Sequence, residues 1–243
     1  HTTGVFGAQQ GCHTHHGPNG TTIQQAFGRL PNPSGGVCLD GMTPMFPLGS
    51  VLFPHMPLAL RLFEPRYLQM LGELLEGDAP EFGVVLIERG HEVGGGDKRF
   101  QIGTMAQVLQ IEALEGYVAL VARGSRRFIV RQWLPDAPYP QAEVDLLPEF
   151  EWSEGLDDLR SDTEAEVRRA LAAGAEFGSS WPMDVELSED PVQACWQLAA
   201  ITPAGALDRV ALLQARSVSD LLTLTAEAAR QARQSMQLGW SDF

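Results

Sequence analysis

The stretch from Phe46 to Tyr67, FPLGSVLFPHMPLALRLFEPRY, is apolar yet cut by Pro47, Pro54, Pro57 and Pro65. Proline fixes φ and has no N–H to donate, so neither a long helix nor a central strand can run through it. What this permits is a pair of short strands at an edge or bend, Met45–Leu48 and Leu58–Phe63, followed by a corner. Pro65 suits the first turn of a helix, where the missing N–H would have no partner anyway. Glu64 before it sets a carboxylate at the positive end of the helix dipole. Tyr67, Leu68, Leu71, Leu74 and Leu75 then recur at helical spacing, giving one apolar face on a helix that ends near Gly77. Arg66 is badly placed for that dipole and is expected to pair with a carboxylate elsewhere. Phe63, Glu64, Pro65, Arg66 and Tyr67 therefore read as a structural corner rather than as catalytic groups.

Strand signals continue to about Leu147. Phe82–Glu88 is a continuous apolar run, Gly94 to Gly96 mark a turn, and Phe100–Ala113 is long enough to bend. Tyr117–Ala122 and Arg127–Leu134 follow Glu115-Gly116 and Gly124-Ser125, both read as hairpin turns, and Gln141–Leu147 is the last strand. Seven short strands with one inserted helix predict a small closed or nearly closed barrel.

After Pro148 the pattern turns helical. Gly155–Ala173 carries Leu156, Leu159, Val167 and Leu171 as its apolar positions. Asp190-Pro191 reads as a cap and first-turn proline for a helix through Ala200, and Thr202-Pro203 as the same device for a helix through Ala215. Ser217 with Asp220 resembles a capping box for a final helix carrying Leu221, Leu222, Leu224 and Thr225. Short connectors predict antiparallel packing of these helices. The organisation expected is thus a β segment at 42–150 and a helical subdomain at 151–243. Residues 1–41 show neither period, carry only Arg29 and Asp40 as charges, and read as a disordered leader or a non-native extension, with the natural start expected near Met42.

The formal charge of −14 weighs against nucleic acid, which must be met by cations. Residues 42–150 hold 9 basic and 14 acidic groups, and residues 151–243 hold 7 and 16, so neither part is basic. Arg123, Arg126, Arg127 and Arg131 form a local cluster against that background. The three cysteines, Cys12, Cys38 and Cys195, cannot all pair and do not sit at metal-ligand spacings, which fits a reducing compartment. No apolar run is long enough to span a bilayer and no export signal is visible, so the expected setting is the cytoplasm.

Chemistry-bearing motifs are sparse. Cys12, His13, His15 and His16 have ligand character but lie in the leader without a second cluster; His55 and His91 are isolated. The glycines before Lys98, the chain's one lysine, lack the Gly-Lys-Ser/Thr order of a phosphate-binding loop, and neither LGSVL nor RGSRR is a nucleophile elbow. Cys195, within QACWQLAA, reads as a packed core residue, and the carboxylates Asp157, Asp158, Asp162, Glu164 and Glu166 as a solvated helix face. No catalytic constellation, cofactor site or metal site is expected.

FPLGSVLFPHMPLALRLFEPRYLQM at 46–70 resembles the opening of the Lon N-terminal domain, with Phe-Pro-Leu and Leu-Phe-Pro turns before Phe-Glu-Pro-Arg-Tyr and a helix. FGVVLI at 82–87, IGTMAQV at 102–108, ARGSRRFIV at 122–130 and PYPQAEV at 138–144 extend the resemblance in order. It implies an α+β fold, a PUA-like β barrel with an inserted helix followed by a C-terminal helical subdomain. It also implies a non-catalytic module that binds unfolded or extended protein segments, with a Lon-type protease as a further partner and without that family's ATPase and protease parts. Tyr117, Trp133 and Tyr139 are the candidate peptide-binding residues, lining either exposed apolar strand edges or a groove between barrel and helices. Two alternatives stand beside this reading, a PUA-like RNA-binding protein using the arginine cluster and a small-ligand-binding barrel.

Overall fold

The computed structural model describes residues 41–87, 99–175, 181–182 and 184–237. The glycine turn, His91, Lys98 and the Cys12–His16 tract lie outside them.

Among the described residues, six strands and five α-helices follow one another as β1 (Thr43–Leu48), β2 (Pro57–Leu62), α1 (Pro65–Leu74), β3 (Glu81–Ile87), β4 (Arg99–Leu114), β5 (Tyr117–Trp133), β6 (Gln141–Leu146), α2 (Asp157–Gly174), α3 (Pro191–Ile201), α4 (Ala206–Leu213) and α5 (Val218–Gln237). The mixed α+β class is as expected. The strand count is not, because residues 117–133 form one strand where two joined by a Gly124-Ser125 turn were expected. Gly124 has another purpose. A Cβ there would collide with the Phe53 carbonyl oxygen, so glycine lets the Phe53–Met56 loop lie directly on β5. Backbone bonds His55 N–H to Gly124 O (2.8 Å) and Gly124 N–H to Met56 O (2.9 Å) tie the two together. The Glu115-Gly116 turn is present, with Gly116 at φ 85°.

The strand order is β2-β5-β4-β3-β1-β6, and β6 pairs again with β5, so the ladder from β5 through β6 returns to its start. Directly paired residues share a face. One face of this ladder holds Met45, Val85, Met105, Phe128, Val130 and Ala142, a small buried cluster drawn from every strand but β2. Gly83 and Gly103 face Phe128 there, and a Cβ on either would run into its ring. The other face continues through Phe46, Val84, Thr104 and Arg127, paired in that order across four strands. It packs into a larger cluster that also takes in Val167, Leu171, Trp196, Leu198, Leu212, Leu221 and Leu222 from the helices. Sheet and helices thus bury one continuous core.

Asp190 caps α3 as expected, its Oδ1 accepting from the Gln193 N–H at 2.8 Å. Thr202-Pro203 does not start α4, which begins at Ala206 after Gly205. Thr202 ends α3 instead, buried, with its hydroxyl donating to Leu198 O at 2.7 Å. A fully buried hydroxyl takes the carbonyl available to it, which overrides its N-cap preference. At α5, Ser217 Oγ accepts from the Asp220 N–H, while Asp220 accepts from the Arg216 N–H, one residue earlier than a capping box requires.

The Phe63–Tyr67 corner resolves locally. Arg66 pairs with Glu64, two residues away, at 2.9 Å, and both side chains are more than a third exposed. The expected distant carboxylate is therefore not its partner. Its guanidinium lies 4.7 Å from the centre of the Tyr67 ring, and that ring is buried 4.2 Å from Phe46. An exposed pair of this kind contributes little, about 1 kcal/mol or less. Arg66→Ala should therefore shift the urea midpoint only slightly, whereas Tyr67→Ala should cost about 3 kcal/mol by opening a cavity under α1. Equal losses for the two variants would contradict this assignment.

Candidate functional site: a cleft between the sheet and the helices

Residues alternate across β5, so Phe128 enters the small inner cluster while Arg127 turns toward the helices. Arg127 is only 6% exposed. Its Nη1 donates to Leu213 O at 2.9 Å and to Ala215 O at 2.7 Å, the free carbonyls at the end of α4. The guanidinium lies 4.2 Å from the centre of the Phe150 ring and 5.1 Å from that of Trp196, rings that stack on each other 5.3 Å apart. Burial pushes its pKa down to about 10, so at neutral pH it remains a cation.

Beside this bridge lies a cleft of about 460 Å³. Its floor is the outer face of β4 and β5, where Ile102 and Ile129 are direct partners, and Leu147 and Pro148 extend the apolar wall. The opposite wall is the α4–α5 turn, Gln214 to Arg216. Ile129 is 43% exposed, an aliphatic side chain left open to solvent in the middle of the cleft. Gln101 and Gln214 supply amides, and Arg127 and Arg216 supply the charges; none of the lining residues is a carboxylate.

The groove between sheet and helices is therefore present, but its residues are not those expected. Tyr139 is 4% exposed, packed in the larger core, with its hydroxyl donating to Glu73 of α1. That bond and one from Gln69 hold the Glu73 carboxyl below its ordinary range. Trp133 is half-buried under the Arg99 guanidinium (4.7 Å), and Tyr117 lies against Arg61 (5.4 Å). Trp133 pairs with Ala142 at one end of β5, while Tyr117 pairs with Leu114 at the hairpin turn at the other end. The three aromatics do not line the cleft. Ile129 had a legible signal, an aliphatic residue between Phe128 and Val130 in a strand whose inward face those two fill. Gln214 to Arg216 had none, because only the packing of α4 against β5 brings them to the sheet.

The arginine cluster is dispersed as well. Arg127 is buried, Arg131 pairs with Asp145, and Arg126 lies 3.6 Å from Glu81. Cys195 is buried in the core with its thiol pushed up to about 11. No group of three or more His, Cys, Asp or Glu side chains suited to a metal ion exists among the described residues. Nor, among them, is any helix long and apolar enough to cross a membrane.

His55 adopts a left-handed backbone, φ 64°, in the loop that rests on Gly124. Desolvation first, and then the charge of Arg123, lower its pKa below 6.5, against the opposing pull of Asp190 and Glu149.

The profile of the ATP-dependent protease La (LON) substrate-binding domain matches residues 42–230. The chain belongs to that family. It is 26% identical over 190 residues to Lon protease 2 of Desulfotalea psychrophila, an alignment covering 76% of this chain and 24% of the relative. To Lon protease of Cytophaga hutchinsonii it is 28% identical over 154 residues, 62% of this chain and 19% of that one. The chain thus spans about a quarter or less of the length of these curated relatives. Among solved structures, the Lon N-terminal domain protein from Xanthomonas campestris superposes with a TM-score of 0.54 at 25% identity, covering 76% of this chain and 98% of that one. The N-terminal domain of Mycobacterium avium complex Lon protease shares the fold, with a TM-score of 0.56 at 15% identity and coverage of 78% and 98%.

Two outcomes follow from these contacts. Arg127→Leu leaves the α4 carbonyls without their charged donor and should cost about 2–3 kcal/mol in urea denaturation with the m-value unchanged. His55 binds protons less readily folded than unfolded, so the stability it contributes is present above 6.5 and lost as pH falls below that value. His55→Asn, which tolerates the left-handed backbone, should flatten the stability profile below about pH 6.5 relative to wild type.

Proposed function

We propose that the chain is a non-catalytic recognition module for extended or unfolded protein segments, working in the cytoplasm beside a Lon-type protease. The observation that carries the reading is the open apolar cleft at the seam of sheet and helices, in a chain whose family is described as a substrate-binding domain. On this reading the self-closing ladder of β1, β3, β4, β5 and β6 is a PUA-like barrel, with β2 attached to its flank. The barrel supplies a rigid floor, and the α4–α5 turn supplies one wall. An extended segment would bury apolar side chains on Ile102, Ile129 and Leu147, while Gln101 and Gln214 offer amides to its backbone. The cleft presents amides and guanidinium groups with no nucleophile or carboxylate, which suits binding better than bond cleavage. RNA binding loses support because three of the four clustered arginines are buried or face a carboxylate.

Fluorescence anisotropy with a labelled, unstructured apolar peptide tests this directly. Ile129→Asp places an unpaired charge on the floor and should weaken binding by about tenfold or more. Its melting temperature should stay near that of wild type, since Ile129 is already exposed. Unchanged affinity in a folded Ile129→Asp protein would move the binding surface elsewhere.

A further inference from the structure

Arg127 belongs to the floor of the cleft, and the carbonyl of Ala215 that it bonds belongs to the wall. The guanidinium therefore spans the cleft and closes it at that end, deep in the protein. Arg216 follows Ala215 at the rim with its side chain 93% exposed and paired with Asp220 at 3.8 Å. Between these two cations the lining is apolar or amide. In a chain of net charge −14, a carboxylate-free cleft with a cation at its closed end and another at its mouth is complementary to an apolar group carrying one negative charge.

We infer that the cleft takes the C-terminal end of a polypeptide, its last apolar side chain on Ile102 and Ile129 and its α-carboxylate between Arg127 and Arg216. This rests on the peptide-binding reading above and narrows it. A strand running through would have to pass the Arg127 bridge, whereas a chain end stops there. The terminal carboxylate also sits one Cα from the terminal side chain, so charge and apolar surface arrive together, as the cleft presents them. The carbonyls of Leu213 and Ala215 would repel an anion, but Arg127 covers both. Of the nearby acidic groups, Asp145, on the strand beside Ile129, is held by Arg131, and Asp220 is paired at 3.8 Å with Arg216, whose side chain stays 93% exposed.

The test compares one peptide ending in Leu as the free acid and as the C-terminal amide, against the full chain, by anisotropy at low and moderate salt. The free acid should bind about tenfold tighter, roughly 1.4 kcal/mol, with the preference shrinking as salt rises. Arg216→Gln, a change on an exposed side chain, should remove most of that preference. Ile129→Asp should weaken both forms. Equal binding of acid and amide, both lost in Ile129→Asp, would overturn the chain-end inference while leaving peptide binding in the cleft intact. Insensitivity of both forms to Ile129→Asp would remove the cleft as the site altogether. Displacement of the peptide by octanoate at equal concentration would make the occupant a small acid and overturn the polypeptide assignment.

Discussion

The structure turns on a buried cation, Arg127, that has no carboxylate partner among the described residues. Moving a guanidinium out of water is costly, and Arg127 offsets that cost with two helix-end carbonyls and two aromatic faces. The carbonyls at the end of α4 carry the negative pole of the helix dipole, so their pull on a cation exceeds that of isolated peptide groups. The planar guanidinium also lies against the stacked Phe150 and Trp196 rings, a contact that a lysine ammonium would not reproduce in the same form. This one side chain therefore fixes how far the α4–α5 turn stands from β5. Trp196 extends the link, since Phe53, from the loop resting on Gly124, lies 6.1 Å away on its other side. The seam runs from the proline-rich loop, across the helix bearing Trp196, to the strand bearing Arg127.

The inner cluster obeys a different constraint. Phe128 fills the space between strands only because Gly83 and Gly103 have no side chains to oppose it. The residue after the bridge is thus a plug, and β5 is pinned on both faces at adjacent positions. A one-residue slip would drive Arg127 into the apolar interior and Phe128 toward the helix-end carbonyls. Register is consequently specified more strongly here than by hydrophobic alternation alone. The bulges between Thr104 and Ala106 and between Val130 and Gln132 lie on either side of this point, where bending of the long strands is taken up.

Local signals were read well where local chemistry decides the outcome. Pro65 and Asp190-Pro191 begin helices because a missing N–H and a side-chain cap act within a few residues. Gly124-Ser125 misled because a tertiary contact decided it, Gly124 being small so that another loop can approach, and Thr202-Pro203 because Thr202 bonds back to the helix before it rather than capping the one after. The arginine cluster misled for the same reason. Adjacent residues on a strand face opposite ways, so a run of basic residues in sequence becomes a buried bridge, a surface ion pair and a flank in space. That a cleft could form between sheet and helices was legible from the architecture. Its residues were not, since one wall is a turn more than 80 positions from its floor in sequence, and neither side alone shows a binding pattern.

The same geometry explains why recognition would sit at the seam rather than on the open strands near Tyr117. A surface that must bind without rearranging needs its groups held before the ligand arrives, or the ordering cost is drawn from affinity. The β4–β5 hairpin tip is largely exposed and lacks packing against the helices. The cleft is bordered by Arg127, whose position is set on several sides, and by Ala215, buried under it. Only Gln101, Ile129, Pro148, Gln214 and Arg216 are exposed along its length. A fixed floor and an exposed cationic rim would give a site in which apolar contact supplies affinity and the rim charge selects what enters. Because Arg127 is also the bridge that joins sheet to helices, sequence change there would loosen the fold, and any tuning of recognition in the cleft would fall to the exposed positions.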